Sequence, residues 1–197
     1  MEAFSDGVIA VAITLLVLGI QVPKPGGSPS LIDELGRQWP SYAAYVTSFL
    51  TIGIIWINHH AMIDRLQRSD HVILILNLVL LMSIGVIPFA TSLMAAYLRQ
   101  SSGESVAAAV YSGSFLVMSI AFAVLNWAIL LGKAGQIGEE LSLAQRRAIL
   151  RRSVIGLIPY ALATALAFVS PYLTLAICAV LAAYYAHPAA SGAQGPA

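Results

Sequence analysis

The stretch FSDGVIAVAITLLVLGI, residues 4–20, decides the fold. It is apolar almost without interruption and long enough for one crossing of a bilayer, which takes about 20 apolar residues. No basic region precedes it and no small-residue cleavage site follows it. It therefore reads as a first spanning helix and not as a cleaved leader. At about 100° per residue, Val11, Thr14, Leu15 and Leu18 fall on one stripe, with Gly7 and Val8 beside it. Ser5 and Asp6 point away from that stripe.

The rest of the chain agrees with a membrane setting. Of its 197 residues, 59% are hydrophobic and only 10% are charged, with a mean hydropathy of +0.84. A soluble domain carries roughly 25% charged residues. So low a charge content excludes a soluble globular enzyme, a disordered tail and a secreted disulfide scaffold. The net charge of +1 gives no reason to expect a nucleic-acid partner. The single cysteine, Cys178, sits in an apolar run and reads as a small hydrophobe.

Five further segments have the length or nearly the length to span, at about 42–63, 71–97, 105–131, 152–169 and 171–186. Taken as one helix, 152–186 would run roughly 50 Å, too long for a single crossing. Ser170-Pro171 breaks it into two short helices joined by a tight turn. The expected fold is an all-α integral membrane protein with six transmembrane helices, one domain over 1–197, loops at 23–41 and 132–151, and a short disordered tail at 187–197. Pro23, Pro25, Gly26, Gly27 and Pro29 make the 23–41 loop irregular at its start. Leu31 to Trp39 suits a short interfacial helix.

With six spans, one side holds Arg65, Arg68, Lys133, Arg146, Arg147, Arg151 and Arg152. The other holds Lys24, Arg37 and Arg99. The positive-inside rule puts the arginine-rich side and both termini in the cytoplasm, as expected for a multi-pass protein of the cell inner membrane. The cluster at 146–152 reads as a topology signal that also meets anionic headgroups; a sharper reading is a regulatory lipid or ligand site.

Polar residues are few. Asp6 is the only carboxylate this far inside a membrane segment. Either it caps the helix start with Ser5, or it is a proton or cation site; its position away from the stripe favours structure. The second helix ends WINHHAMIDR, with Trp56, Asn58, His59, His60 and Asp64. The third begins HVILILNLVLL, with His71 and Asn77. Adjacent His59 and His60 point about 100° apart and suit one metal ion poorly. A hydrogen-bond network of Asp6, Asn77 and one of these histidines is the better reading. No HExxH, Gly-x-Ser-x-Gly or Walker motif is present, and nothing positions Ser48 or Ser83 against His59, so no enzyme is expected. A secondary transporter or proton-coupled carrier stays open as an alternative, since six helices allow two inverted repeats of three. Against it, the bilayer centre is almost charge-free.

The FSDG opening followed by AVAITLLVL resembles the signature of the transmembrane protein 175 family, the endolysosomal potassium channels of animals and their bacterial relatives. A second block supports it: Trp56, Asn58, His59 and His60, then Asn77-Leu78, then Pro88-Phe89-Ala90-Thr91. The two blocks cover about 4–20 and 56–93. The resemblance implies a homotetramer in which four first helices line a central pore that conducts K⁺ and other monovalent cations. It implies no TVGYG filter and no cofactor, and this chain has no TVGYG. The family's constriction falls seven residues after the motif Phe, here on Val11, and the next pore layers fall on Thr14, Leu15 and Leu18. Thr14 would serve selectivity. Ser5, Asp6, a histidine of His59 and His60, and Asn77 would form the polar network. Two departures stand out. Val11 is smaller than the Ile or Leu usual at the constriction, implying a wider or leakier gate. Phe4 lies too near residue 1 for the arginine that the family carries four residues before it.

Overall fold

The computed structural model describes residues 1–24, 30–66, 70–132 and 142–186. Arg68, Lys133, the Pro25–Pro29 part of the first loop and the tail at 187–197 lie outside the described residues. Within them the chain is helical throughout its apolar segments.

The first helix, α1, spans Glu2–Leu15 and tightens into a 3₁₀ turn over Leu16–Gly19. Its buried residues are Ser5, Ile9, Ala12 and Leu16, a spacing that marks one helical face. A short α2, Leu31–Arg37, starts at Ser30, whose Oγ accepts from the Asp33 N–H. None of α2 is buried.

Helix α3 covers Trp39–Ile63 and opens with Pro40 in its first turn, where no N–H is needed. Helix α4, His71–Tyr97, is capped by Asp70. Pro88 lies inside α4. It removes one backbone donor, which membrane helices tolerate when nearby hydroxyls and neighbouring helices fill in. The carbonyl that Pro88 leaves without an N–H is that of Ile84; the Thr91 and Ser92 hydroxyls donate to those of Ile87 and Pro88, one turn further on. Gly103 turns the chain with φ of 84° before α5, Glu104–Trp127, and a π turn over Ala128–Gly132 ends that span. The Tyr97 ring would stand 3.0 Å from a Cβ on Gly103, so the turn needs glycine on both counts.

The fifth span corrects the sequence reading. Its helix begins with α6, Leu143–Ile155, well before residue 152, and continues after Gly156 as α7, Leu157–Leu166. The second half of the supposed 132–151 loop is thus helix. Hydropathy marks only the part of a helix that lies in lipid. Here the helix runs on through Arg146, Arg147, Arg151 and Arg152, where a Ser142/Gln145 capping box starts it. Helix α8, Pro171–Ala186, follows a turn at Ser170, whose Oγ accepts from the Leu173 N–H. Among the described residues, five helical stretches are long and apolar enough to cross a membrane, and α8 is a shorter apolar helix. The chain is an all-α, multi-pass integral membrane protein.

Helix α4 packs against α1, α3 and α5; α5 packs in turn on α7 and α8; α8 closes against α3. Between apolar helices in lipid, small side chains and hydroxyl contacts replace the hydrophobic effect as the adhesive. At the centre, Ser48 Oγ lies 2.8 Å from Thr91 Oγ1 and 3.2 Å from the Tyr111 hydroxyl, joining α3, α4 and α5. Tyr111 packs edge-on against Phe115. Trp39 stacks on Tyr172, where aromatic rings suit the membrane surface.

Candidate pore face and its polar anchor

Helix α1 touches the rest of the subunit through α3 and α4. That contact uses its buried face. The opposite face is open: Val11 is 57% exposed, Leu15 44% and Leu18 73%, and Thr14 is exposed between them. Phe4 and Val17 are exposed too, so the open surface is broader than the stripe. The structure brings Val11, Thr14, Leu15 and Leu18 onto this unpartnered side.

Two local features shape the stripe. In the 3₁₀ turn, side chains three residues apart eclipse one another, which brings Leu18 closer to vertical alignment with Leu15. Thr14 Oγ1 donates to the Val11 carbonyl at 2.8 Å. Its hydrogen is therefore spent along the helix, and its lone pairs remain for an incoming donor or cation. Gly19 lets the end of α1 approach α4. A Cβ there would stand 2.7 Å from Ser92 Oγ.

The other end of α1 is anchored by a buried relay. His59 Nε2 lies 2.8 Å from Asn77 Oδ1, Asn77 Nδ2 donates to Ser5 Oγ at 2.9 Å, and Ser5 Oγ donates to the Met1 carbonyl at 3.2 Å. Because an amide oxygen only accepts, His59 carries its hydrogen on Nε2 in this arrangement. Ser5, His59 and Asn77 are all buried. The relay pins α1 to α3 and α4.

Asp6 and His60 stand outside that relay, contrary to a single network. Asp6 Oδ1 accepts from Trp56 Nε1 at 2.8 Å. His60 turns Nδ1 toward Glu2 at 3.5 Å and Nε2 toward Asp64 at 3.8 Å. The reason is helical geometry: neighbours in sequence point about 100° apart. Ser5 and His59 face the core, so Asp6 and His60 face its rim. Glu2, His60 and Asp64 place ligand atoms within 4.8 Å of one another. The carboxylates, however, sit at opposite nitrogens of one imidazole. That arrangement sets the ring between two acids at the rim of the subunit. The sequence reading missed Glu2, since a lone acid at a helix start carries no distinguishing signal.

Ser48 is held by Thr91 and Tyr111, and Ser83 donates to the Leu80 carbonyl, while His59 is held by Asn77. Neither serine is paired with the histidine.

The structure is thus a membrane subunit of packed helices whose first helix is anchored on one face and open on the other. Residues 1–88 match the family model of the endosomal/lysosomal potassium channel TMEM175. A potassium channel of Streptomyces collinus is 47% identical over 186 residues, covering 94% of this chain and 89% of that protein. A potassium channel of Chamaesiphon minutus is 40% identical over 188 residues, covering 94% and 92%. The crystal structure of a lysosomal potassium-selective channel TMEM175 homolog from Chamaesiphon minutus superposes with a TM-score of 0.85 at 39% identity, covering 98% of this chain and 96% of that one. The chain belongs to the TMEM175 family of ion channels and not to an enzyme family.

Proposed function

We propose that this chain is a potassium-permeable cation channel, weakly to moderately selective for K⁺ over Na⁺, formed by four copies around a pore lined by α1. The observation that carries this reading is the open Val11–Leu18 stripe on a helix whose other face is anchored. The relatives named potassium channels support the permeant ion. In a tetramer, four Val11 side chains narrow the pore, with Leu15 and Leu18 as further apolar layers. Water leaves such a ring readily, and conduction stops without a solid plug. A small rotation or outward shift of α1 widens the ring and lets water and ions return.

Selectivity in this account rests on oxygen ligands, of which the stripe has few. Four Thr14 oxygens, their hydrogens already directed to Val11 carbonyls, replace part of the hydration shell of K⁺. They replace less of what the smaller, more tightly hydrated Na⁺ must give up. So few ligands make for modest discrimination. Passive conduction of this kind uses no cofactor. The arginine-rich ends, with Arg65 after α3 and four arginines on α6, support the reading that both termini are cytoplasmic in an inner-membrane protein. The same reading takes the chain as a single transmembrane domain.

The test is K⁺ flux into liposomes driven by a K⁺ gradient, with Na⁺ as the comparison and Val11→Asn alongside. Passive flux that is larger for K⁺ and altered by Val11→Asn is expected. Flux only when a proton gradient is coupled to it would replace this reading with a carrier.

A further inference from the structure

We propose that each subunit holds an anionic amphiphile, an acid head carrying an acyl chain, in a cleft between α3, α5 and α6 that is separate from the pore face. The cleft has a volume of about 290 Å³, near the lower end for small-molecule pockets. It extends along α3 from Thr51 to Arg65, roughly 21 Å of helix rise. One leaflet of a bilayer has about 15 Å of hydrocarbon. The cleft is therefore long enough to take a chain from the membrane surface to the middle.

Charge fixes which end takes the head. The charged residues lining the cleft are Arg65 and Arg152, from two different segments, and among the described residues no Asp or Glu lines it. Arg65 lies just past the last turn of α3, and Arg152 on the arginine-rich α6, so both belong to the basic end of the subunit. An anion is favoured there and a cation is opposed. This sets the cleft apart from a K⁺ pathway.

The deeper wall suits a chain better than a hydrated solute. Further from the arginines, Ile54, Ile55 and Phe122 supply apolar surface. The polar groups among them are largely turned to their own helices. Thr51 donates to the Thr47 carbonyl at 2.8 Å, Asn58 to that of Ile54 at 2.8 Å and Ser153 to that of Ile149 at 3.2 Å. Each spends a hydrogen on its own helix, and an acyl chain removes the apolar wall beside them from contact with water. Carboxylate and phosphate heads share the chemistry that two guanidinium groups recognise. A free fatty acid and an anionic phospholipid are therefore the two sources to be separated.

The experiment is native mass spectrometry of the purified full chain in neutral detergent. It is titrated in separate arms with oleate, phosphatidylglycerol, phosphatidylcholine and inorganic phosphate. Retention of oleate or phosphatidylglycerol above phosphatidylcholine and phosphate is expected, and whichever is retained identifies the source. Arg152→Gln should weaken that retention about fivefold, the worth of one arginine beside an anionic head. Ser119→Phe, which fills the cleft without changing charge, should abolish it. Arg147→Gln, on the same helix but outside the cleft, should leave it unchanged. Equal loss in Arg147→Gln, equal retention of phosphatidylcholine, retention of phosphate alone, or full retention in Ser119→Phe would each overturn the proposal. Oligomeric size by gel filtration verifies that each variant is folded.

Discussion

The two faces of α1 are both mainly apolar, yet only one is packed inside the subunit. The inner face presents Ser5, Ile9, Ala12 and Leu16 to α3 and α4. The outer face leaves Val11, Thr14, Leu15 and Leu18 exposed among the described residues. In water such an outer face would be a liability. In a membrane, hydrophobicity does not distinguish an inner from an outer surface, because lipid is as apolar as leucine. What distinguishes them here is size and anchoring. The inner face carries small residues where backbones approach and one buried polar relay. The outer face carries aliphatic side chains with one hydroxyl turned back to its own helix. One face holds the helix in place, and the other is the face proposed to meet other copies and ions.

Changes on the outer face should alter conduction and spare folding, and those on the inner face the reverse. The largest effect is expected from Val11→Asn. A polar ring keeps water in the constriction, and basal K⁺ flux should rise on the order of tenfold, equivalent to about 1.4 kcal/mol off the barrier. Val11→Ala should raise it less. Next comes Asn77→Leu, which strands His59 and Ser5 in the core. Thermal unfolding in detergent should show a loss of about 1–2 kcal/mol, whereas Asp6→Asn, which still accepts from Trp56, should be nearly neutral. Gly19→Ala forces the Ser92 hydroxyl off the Pro88 carbonyl and should cost about 1 kcal/mol in the same assay. The smallest effect belongs to Thr14→Ala. It should lower the K⁺/Na⁺ permeability ratio measured from reversal potentials while leaving the unfolding temperature in place. Thr14→Ser, which keeps the oxygen, should retain the ratio.

Much of this division was legible in residues 4–20. Helical periodicity alone groups Val11 with Thr14, Leu15 and Leu18 and turns Ser5 away from them. The same periodicity separates Ser5 from Asp6 and His59 from His60, which is why Asp6 and His60 fall outside the buried relay. The α6 start was missed because hydropathy detects lipid contact and not helix. Ser142 and Gln145 carried the capping signal in plain view. The Ser48–Thr91–Tyr111 cluster was not legible, since residues 43 and 63 positions apart meet only once three helices are packed. The cleft under Arg152 was hidden for the same reason. Its lining comes from α3 to α8, and from sequence only the arginines hinted at an anionic partner.

The central claim is that the outer face of α1 lines the conducting path. The most direct measurement is thiol-reagent block of K⁺ flux in liposomes for single cysteines placed along α1, with the buried native Cys178 as the background. Val11→Cys and Thr14→Cys should be blocked on modification, and Ala12→Cys on the inner face should not. Block at Ala12→Cys with none at Val11→Cys would contradict the account and assign the conducting path to another surface.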